Sequence, residues 1–187
     1  MTLVGGWCIL LVIGAQLAWG NQSTYIVSYY YHQGKQVTME EFYVVQPFIV
    51  LIATFFYPIG VFLSGKYGSR PVIVLGGIIP FSLVMVCSYI QSPTLFIALY
   101  SFGFGCGKGL MYSSVLHAGW SHLPGRKGLA SGAIICGFGF GGFIFGLIMN
   151  RLCNPENELP LDYVVKIGLE EKLFPPSVAG RVPAALR

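Results

Sequence analysis

Charged side chains are absent from four long runs of this chain: residues 1–34, 42–65, 71–107 and 128–150. Each run reaches the ~20 residues that an α-helix needs to cross the hydrocarbon core of a bilayer. The third is long enough for two crossings, and the turn chemistry of Gln91-Ser92-Pro93 divides it. Five spans follow, near residues 4–30, 41–64, 72–90, 94–118 and 127–150. Their apolar character is continuous rather than alternating, which predicts helices and not barrel strands. Composition agrees: 55% of the 187 residues are hydrophobic, 10% are charged, and the mean hydropathy is +0.69. The expected fold class is an all-α membrane protein, a multi-span helical bundle whose first partner is the lipid bilayer. No basic residue precedes the first apolar run, and that run is too long for the core of a cleaved leader, so it reads as a retained span.

Short loops carry the orientation. Lys66 and Arg70 lie between spans two and three, and Arg126 and Lys127 lie with His122 between spans four and five, with no acid in either loop. On the other side Lys35 is offset by Glu40 and Glu41, and the turn around Ser92 is uncharged. Positive charge stays inside, so the N-terminus and both basic loops are expected in the cytoplasm or its topological equivalent. Residues 151–187 then form an extramembrane tail on the far side, with five basic and five acidic residues. Within it LDYVVKIGLEEKLF reads as a short amphipathic helix, and FPPSVAGRVPAALR as an irregular stretch turning into a helix start. An odd number of spans followed by such a tail suggests an approach to a sixth.

No catalytic constellation emerges: there is no nucleotide-binding loop, no H-E-x-x-H and no Ser/His/Asp set, so no enzyme is expected. Cys8, Cys87, Cys106, Cys136 and Cys153 show neither paired spacing nor a metal-ligand pattern and read as small apolar residues. Neither a cofactor nor a metal is implied, and no nucleic acid is expected among the partners.

The segment GVFLSGKYGSRPVIVLGG, residues 60–77, has a helix end, Lys66, Gly68, Arg70 and then the next span. A connection this short needs a residue tolerant of left-handed backbone, which Gly68 supplies, while Lys66 and Arg70 hold the turn at the interface. This segment resembles the loop between spans two and three of the major facilitator superfamily, with pattern G-x-x-x-D-R-x-G-R-R. The wording KYGSRPVIVLGG is most similar to the monocarboxylate transporters and the oxalate/formate antiporter group. LPGRKGLASGAIICGFGFGG, residues 123–142, is similar to the start of span five in those transporters, and WGNQSTYIVSYY, residues 19–30, to the end of span one. The chain departs from the pattern in carrying Gly65 where the loop usually has an aspartate. The resemblance covers the first half of a twelve-span protein. It implies a five-span part of an N-terminal half that moves small carboxylates by alternating access. A second bundle would be supplied by a partner chain, a homodimer partner or a larger complex. The alternative is a transporter-derived, non-transporting structural subunit of a larger membrane assembly.

Glycine spacing implies tight helix packing without reference to family. Gly103/Gly107 and Gly105/Gly109 make two small-xxx-small stripes on span four, and Gly128/Gly132, Gly137/Gly141 and Gly142/Gly146 give span five similar surfaces. At 100° per residue the two stripes of span four fall on either side of Lys108. That lysine is midway along its span, where an isolated cation costs from ~3 to over ~10 kcal/mol. The spans hold no acid at depth to pair with it. It therefore faces a wet cavity or a partner, and as the counter-ion of an anionic substrate it fits the carboxylates that the resemblance implies. The competing readings are a lysine bound to helix carbonyls and one that snorkels to the interface.

Tyr112, one turn on, shares the face of Lys108. Span one has a polar stripe of Gln22, Tyr25 and Tyr29 and a second of Asn21, Thr24 and Ser28. Either these line a cavity, or they make interhelical hydrogen bonds and an interfacial tyrosine belt. Gln46 and Tyr57 are weaker cavity candidates on span two. The expected substrate set is Lys108, Tyr112, Gln22, Tyr25 and Gln46. His117, nine residues from Lys108 and half a turn round the helix, is expected outside that site. Asn21-Gln22-Ser23 matches the glycosylation pattern but lies within a span.

Overall fold

A computed structural model describes residues 2–166 and 169–186, with the side chains of Val164, Val165, Lys166 and Leu169 left aside. Five helical segments are long and apolar enough to cross a membrane: Thr2–His32, Met39–Tyr67, Ser69–Cys87, Pro93–His122 and Pro124–Cys153. The chain is an all-α multi-span bundle. The first segment is not one helix. α1 (Thr2–Ile13) passes through a 3-10 stretch at Gly14–Ala18 into α2 (Trp19–His32). A short α3 (Met39–Tyr43) leads into α4 (Val45–Tyr67), followed by α5 (Ser69–Cys87), α6 (Pro93–His122) and α7 (Lys127–Cys153).

The basic turns are tighter than the sequence suggests. Lys66 lies in the last turn of α4, Arg70 lies in the first turn of α5, and Gly68 alone separates the helices. Gly68 has φ +86°, and its position requires a residue without Cβ. Lys66 places its ammonium 5.2 Å from the centroid of the Tyr67 ring. Arg126 closes a single 3-10 turn, and Lys127 opens α7.

Glycine decides how closely the helices approach. On α6, Gly105 and Gly109 face Ile52, Ala53 and Phe56 of α4, whereas Gly103 and Gly107 face Leu83, Pro80 and Gly76 of α5. A Cβ at Gly107 would stand 2.7 Å from the Gly76 carbonyl oxygen, inside contact distance. Span five meets span one in the same way: Gly137 and Gly141 rest on the Trp7 and Leu11 carbonyls, and Gly14 meets the Phe138 carbonyl. Gly142 covers Leu17. The Gly128/Gly132 pair differs from its expectation, because nothing approaches either residue within 4 Å. Both face away from the bundle.

The outer faces are apolar, as hydrocarbon solvent requires. Phe55, Phe62, Phe81 and Phe143 are each at least 65% exposed. The main buried cluster sits at the end of the bundle near the tail and is aromatic. Trp19, Tyr30, Phe42, Phe96 and Tyr100 are each no more than 2% exposed. Their polar atoms are satisfied inside: Trp19 Nε1 donates to the Phe42 carbonyl at 3.2 Å and the Tyr30 hydroxyl to the Ile90 carbonyl at 2.8 Å. Tyr30 is thus a core residue. Cys87, Cys106 and Cys153 are buried and Cys8 and Cys136 exposed, all with free thiols.

The tail corrects one expectation. LDYVVKIGLEEKLF is not an amphipathic helix. β1 (Leu161–Lys166) and β2 (Leu169–Leu173) pair antiparallel, with Leu161 opposite Leu173 and Asp162 opposite Lys172. Ile167 and Gly168 lie outside the described residues. The sequence holds β-branched Val164-Val165 at the centre of β1, a pair that favours a pleated strand over a helix. Short helices α8 (Pro176–Ala179) and α9 (Val182–Ala185) follow. The tail folds back onto span one. Phe174 stacks on Tyr25 with centroids 4.5 Å apart, its amide donates to Ser28 Oγ, and its carbonyl meets His32 Nε2 at 2.9 Å. The Glu171 carboxylate accepts from the Met39 amide. Leu173, Val178 and Val182 are buried in the aromatic cluster.

Candidate functional site

Because both glycine stripes of α6 are used for packing, Lys108 between them emerges on the remaining sector of the helix. Its stem borders a cavity of about 180 Å³ between α1, α5 and α6, lined by Gly77, Pro80, Phe104 and Met111. It also borders a cavity of about 450 Å³ between α4, α6 and α7, lined by Tyr57, Tyr112, Ser113, His117, Trp120 and Phe138. The ammonium lies 5.3 Å from the centroid of the Phe138 ring, within cation–π range. No carboxylate pairs with it among the described residues.

The walls of the larger cavity form a connected aromatic frame. Tyr57 and Tyr112 have ring centroids 5.9 Å apart, and Tyr112 meets Phe138 edge-on at 6.0 Å. Neither phenol hydroxyl has a hydrogen-bond partner among the described residues. Ser113 and Trp120 are already committed, Ser113 Oγ to the Gly109 carbonyl at 2.8 Å and Trp120 Nε1 to Ser131 Oγ at 2.7 Å. One ammonium and two free hydroxyls therefore share a largely apolar chamber, a donor set suited to a carboxylate with a small body.

Gln22, Tyr25 and Gln46 do not line this chamber. Gln22 Oε1 accepts from the Tyr100 hydroxyl at 3.1 Å and borders a separate cavity of about 150 Å³. The Tyr25 hydroxyl donates to Asn150 Oδ1 at 2.5 Å, bonding span one to span five. Gln46 Nε2 donates to the Gln16 carbonyl at 2.7 Å, bonding span two to the 3-10 stretch of span one. All three are interhelical hydrogen-bonding groups here.

His117 does line the chamber, contrary to the half-turn argument that set it apart. The chamber runs along α6 for more than two turns, from Lys108 to Trp120, and His117 is exposed on it. Tyr57, a weaker candidate in the sequence, has a stronger place here because of how α4 is rotated against α6. Gly109 faces Phe56 and so brings the neighbouring Tyr57 beside Tyr112.

No family model matches the chain, and no solved structure matches it significantly. Sequence relatives do. It is 31% identical over 104 residues to apicoplast pyruvate carrier 1 of Toxoplasma gondii, a match covering 55% of this chain and 19% of the carrier. It is 32% identical over 108 residues to monocarboxylate transporter 13 of Rattus norvegicus, covering 56% of this chain and 24% of that protein. Monocarboxylate transporter 9 of the same species is 28% identical over 97 residues, covering 51% of this chain and 19% of that protein. The chain thus spans a quarter or less of the length of these curated relatives. Over about half its own length it is related to membrane transporters and carriers, none of them an enzyme.

Proposed function

We propose that this chain belongs to a secondary transporter of small carboxylate anions, working by alternating access, with Lys108 as the counter-ion of its cargo. The observation that carries the reading is Lys108 bordering a chamber with the hydroxyls of Tyr57 and Tyr112, free among the described residues, and with no acid among those residues to neutralise its ammonium. A cation at that depth is tolerated when an anion or water meets it. The printed names of the relatives, a pyruvate carrier and monocarboxylate transporters, support the substrate class. The segments 60–77 and 123–142 support the finer reading as the N-terminal half of a major facilitator transporter of the monocarboxylate or oxalate/formate type. Such a site is completed by a second bundle, from a partner chain, a second copy or the remainder of a longer protein. Gln22, Tyr25 and Gln46 then act by fixing span one against its neighbours. The basic residues Lys66, Arg70, Arg126 and Lys127 support a cytoplasmic N-terminus.

Uptake of labelled pyruvate into proteoliposomes tests the reading. Lys108→Gln removes one charge-assisted contact and lowers uptake about 10-fold to 100-fold, while Tyr112→Phe lowers it less. Unchanged uptake in Lys108→Gln, with the protein still assembled, rejects Lys108 as the counter-ion. Absence of uptake in the wild type, with loss of the chain disrupting a larger complex, favours the structural-subunit alternative.

A further inference from the structure

A fourth cavity, of about 620 Å³, lies between α2 and α7 at the end of the bundle that the tail covers. Its lower wall is apolar, with Gly142, Phe143 and Leu147; its upper wall is polar, with Asn21, Thr24, Asn150 and Lys172. These four are all donors, and none gives its side-chain hydrogens to a protein acceptor among the described residues. The Asn21 amide and the Thr24 hydroxyl have no side-chain hydrogen bond among the described residues. Asn150 accepts from Tyr25 through Oδ1, leaving its amide N–H pair unused. Lys172 stands opposite Asp162 in the hairpin, yet the two form no ion pair and Asp162 does not border the cavity. No acid lines the cavity among the described residues.

Unused donors that converge on one acid-free space are satisfied by an acceptor that brings negative charge. Asn21 sharpens the point. It is exposed on the flank of span one, about 16 Å along the helix from its His32 end, where a bare amide in hydrocarbon costs several kcal/mol. We propose that this cavity is a second anion-binding site, in which Lys172, Asn150 and Thr24 hold a small carboxylate at the tail-side mouth. It serves as the capture site for the same cargo that Lys108 meets midway along α6. The proposal rests on the carboxylate-transport reading. It also assigns the tail a role: folding β2 onto span one brings Lys172 over the cavity, and the stack of Phe174 on Tyr25 fixes that placement.

The test is protection of lysines from acylation, mapped by mass spectrometry on the full chain in phosphatidylcholine nanodiscs. Propionate is the probe, uncharged propionamide is the control, and Lys35 and Lys66 are reference sites. At a propionate concentration twice the dissociation constant, simple occupancy slows acylation of Lys172 about threefold, and propionamide does not. Thr24→Val weakens the protection at Lys172 and leaves that at Lys108 intact. Protection at Lys108 without protection at Lys172 overturns the second site and leaves the transport reading standing. Protection at neither overturns both. A phosphate headgroup offers similar acceptor chemistry, so nanodiscs containing phosphatidylglycerol form a separate arm. Lys172 protected there before any propionate is added, with no further effect of propionate, assigns the cavity to lipid and overturns the capture role.

Discussion

Gln16 is the larger of the two buried side chains, with Ser101, that carry unpartnered polar atoms among the described residues. It is fully buried in the 3-10 stretch of span one, and neither Nε2 nor Oε1 has a protein partner among the described residues, although its own carbonyl holds Gln46. A buried amide left unsatisfied costs about 1–3 kcal/mol, so Gln16→Leu, which keeps the volume and the backbone acceptor, is expected to raise the thermal midpoint in detergent. A fall instead indicates that an internal water satisfies the amide and that the variant loses it. Lys108 is a different case. Its exceptional position was legible in the sequence, because one cation in a charge-free run stands out whatever the fold. Its companions were less legible. Tyr112 follows from helical spacing, but Tyr57 and His117 reach the chamber through the rotation of α4 and the length of the cavity, which no local pattern encodes.

The helices are held together by glycine, and the sign of a substitution depends on which face carries it. Gly109 lies against Phe56 and Ala53, so Gly109→Val forces α4 and α6 apart. Overpacking of this kind costs about 1–3 kcal/mol, and a matching loss of thermal stability and of monodisperse elution in detergent is expected. Gly132 has open space around it, and Gly132→Ala is expected to be neutral or to stabilise by up to about 1 kcal/mol through helix propensity. Equal destabilisation by both would show that α7 packs differently. Four of the five small-residue stripes were readable as contact surfaces from spacing alone, because two glycines one turn apart necessarily share a face. The Gly128/Gly132 stripe was not distinguishable by that rule, since spacing says which residues share a face and not what lies opposite it.

For the whole molecule, the asymmetry of charge and the position of the tail define two different ends. The four basic residues of the tight turns gather at one end, and the hairpin covers the other. Cysteine placed at Gly125, in a protein whose native cysteines are replaced, is expected to react with a membrane-impermeant thiol reagent only in inside-out vesicles. A cysteine at Lys35 should react in intact cells. The reverse pattern inverts the orientation. Residence in a membrane and division into five helical crossings were fixed by sequence alone, because the cost of placing a charge or an unbonded backbone in hydrocarbon is paid residue by residue and needs no neighbour to be felt. Only the tertiary structure decided which polar groups share a chamber, that Gln22, Tyr25 and Gln46 bond helix to helix, and that the tail is a hairpin clasped to span one. Those outcomes depend on helix rotation and on contacts between residues more than a hundred positions apart, such as Tyr25 with Asn150 and Ser28 with Phe174.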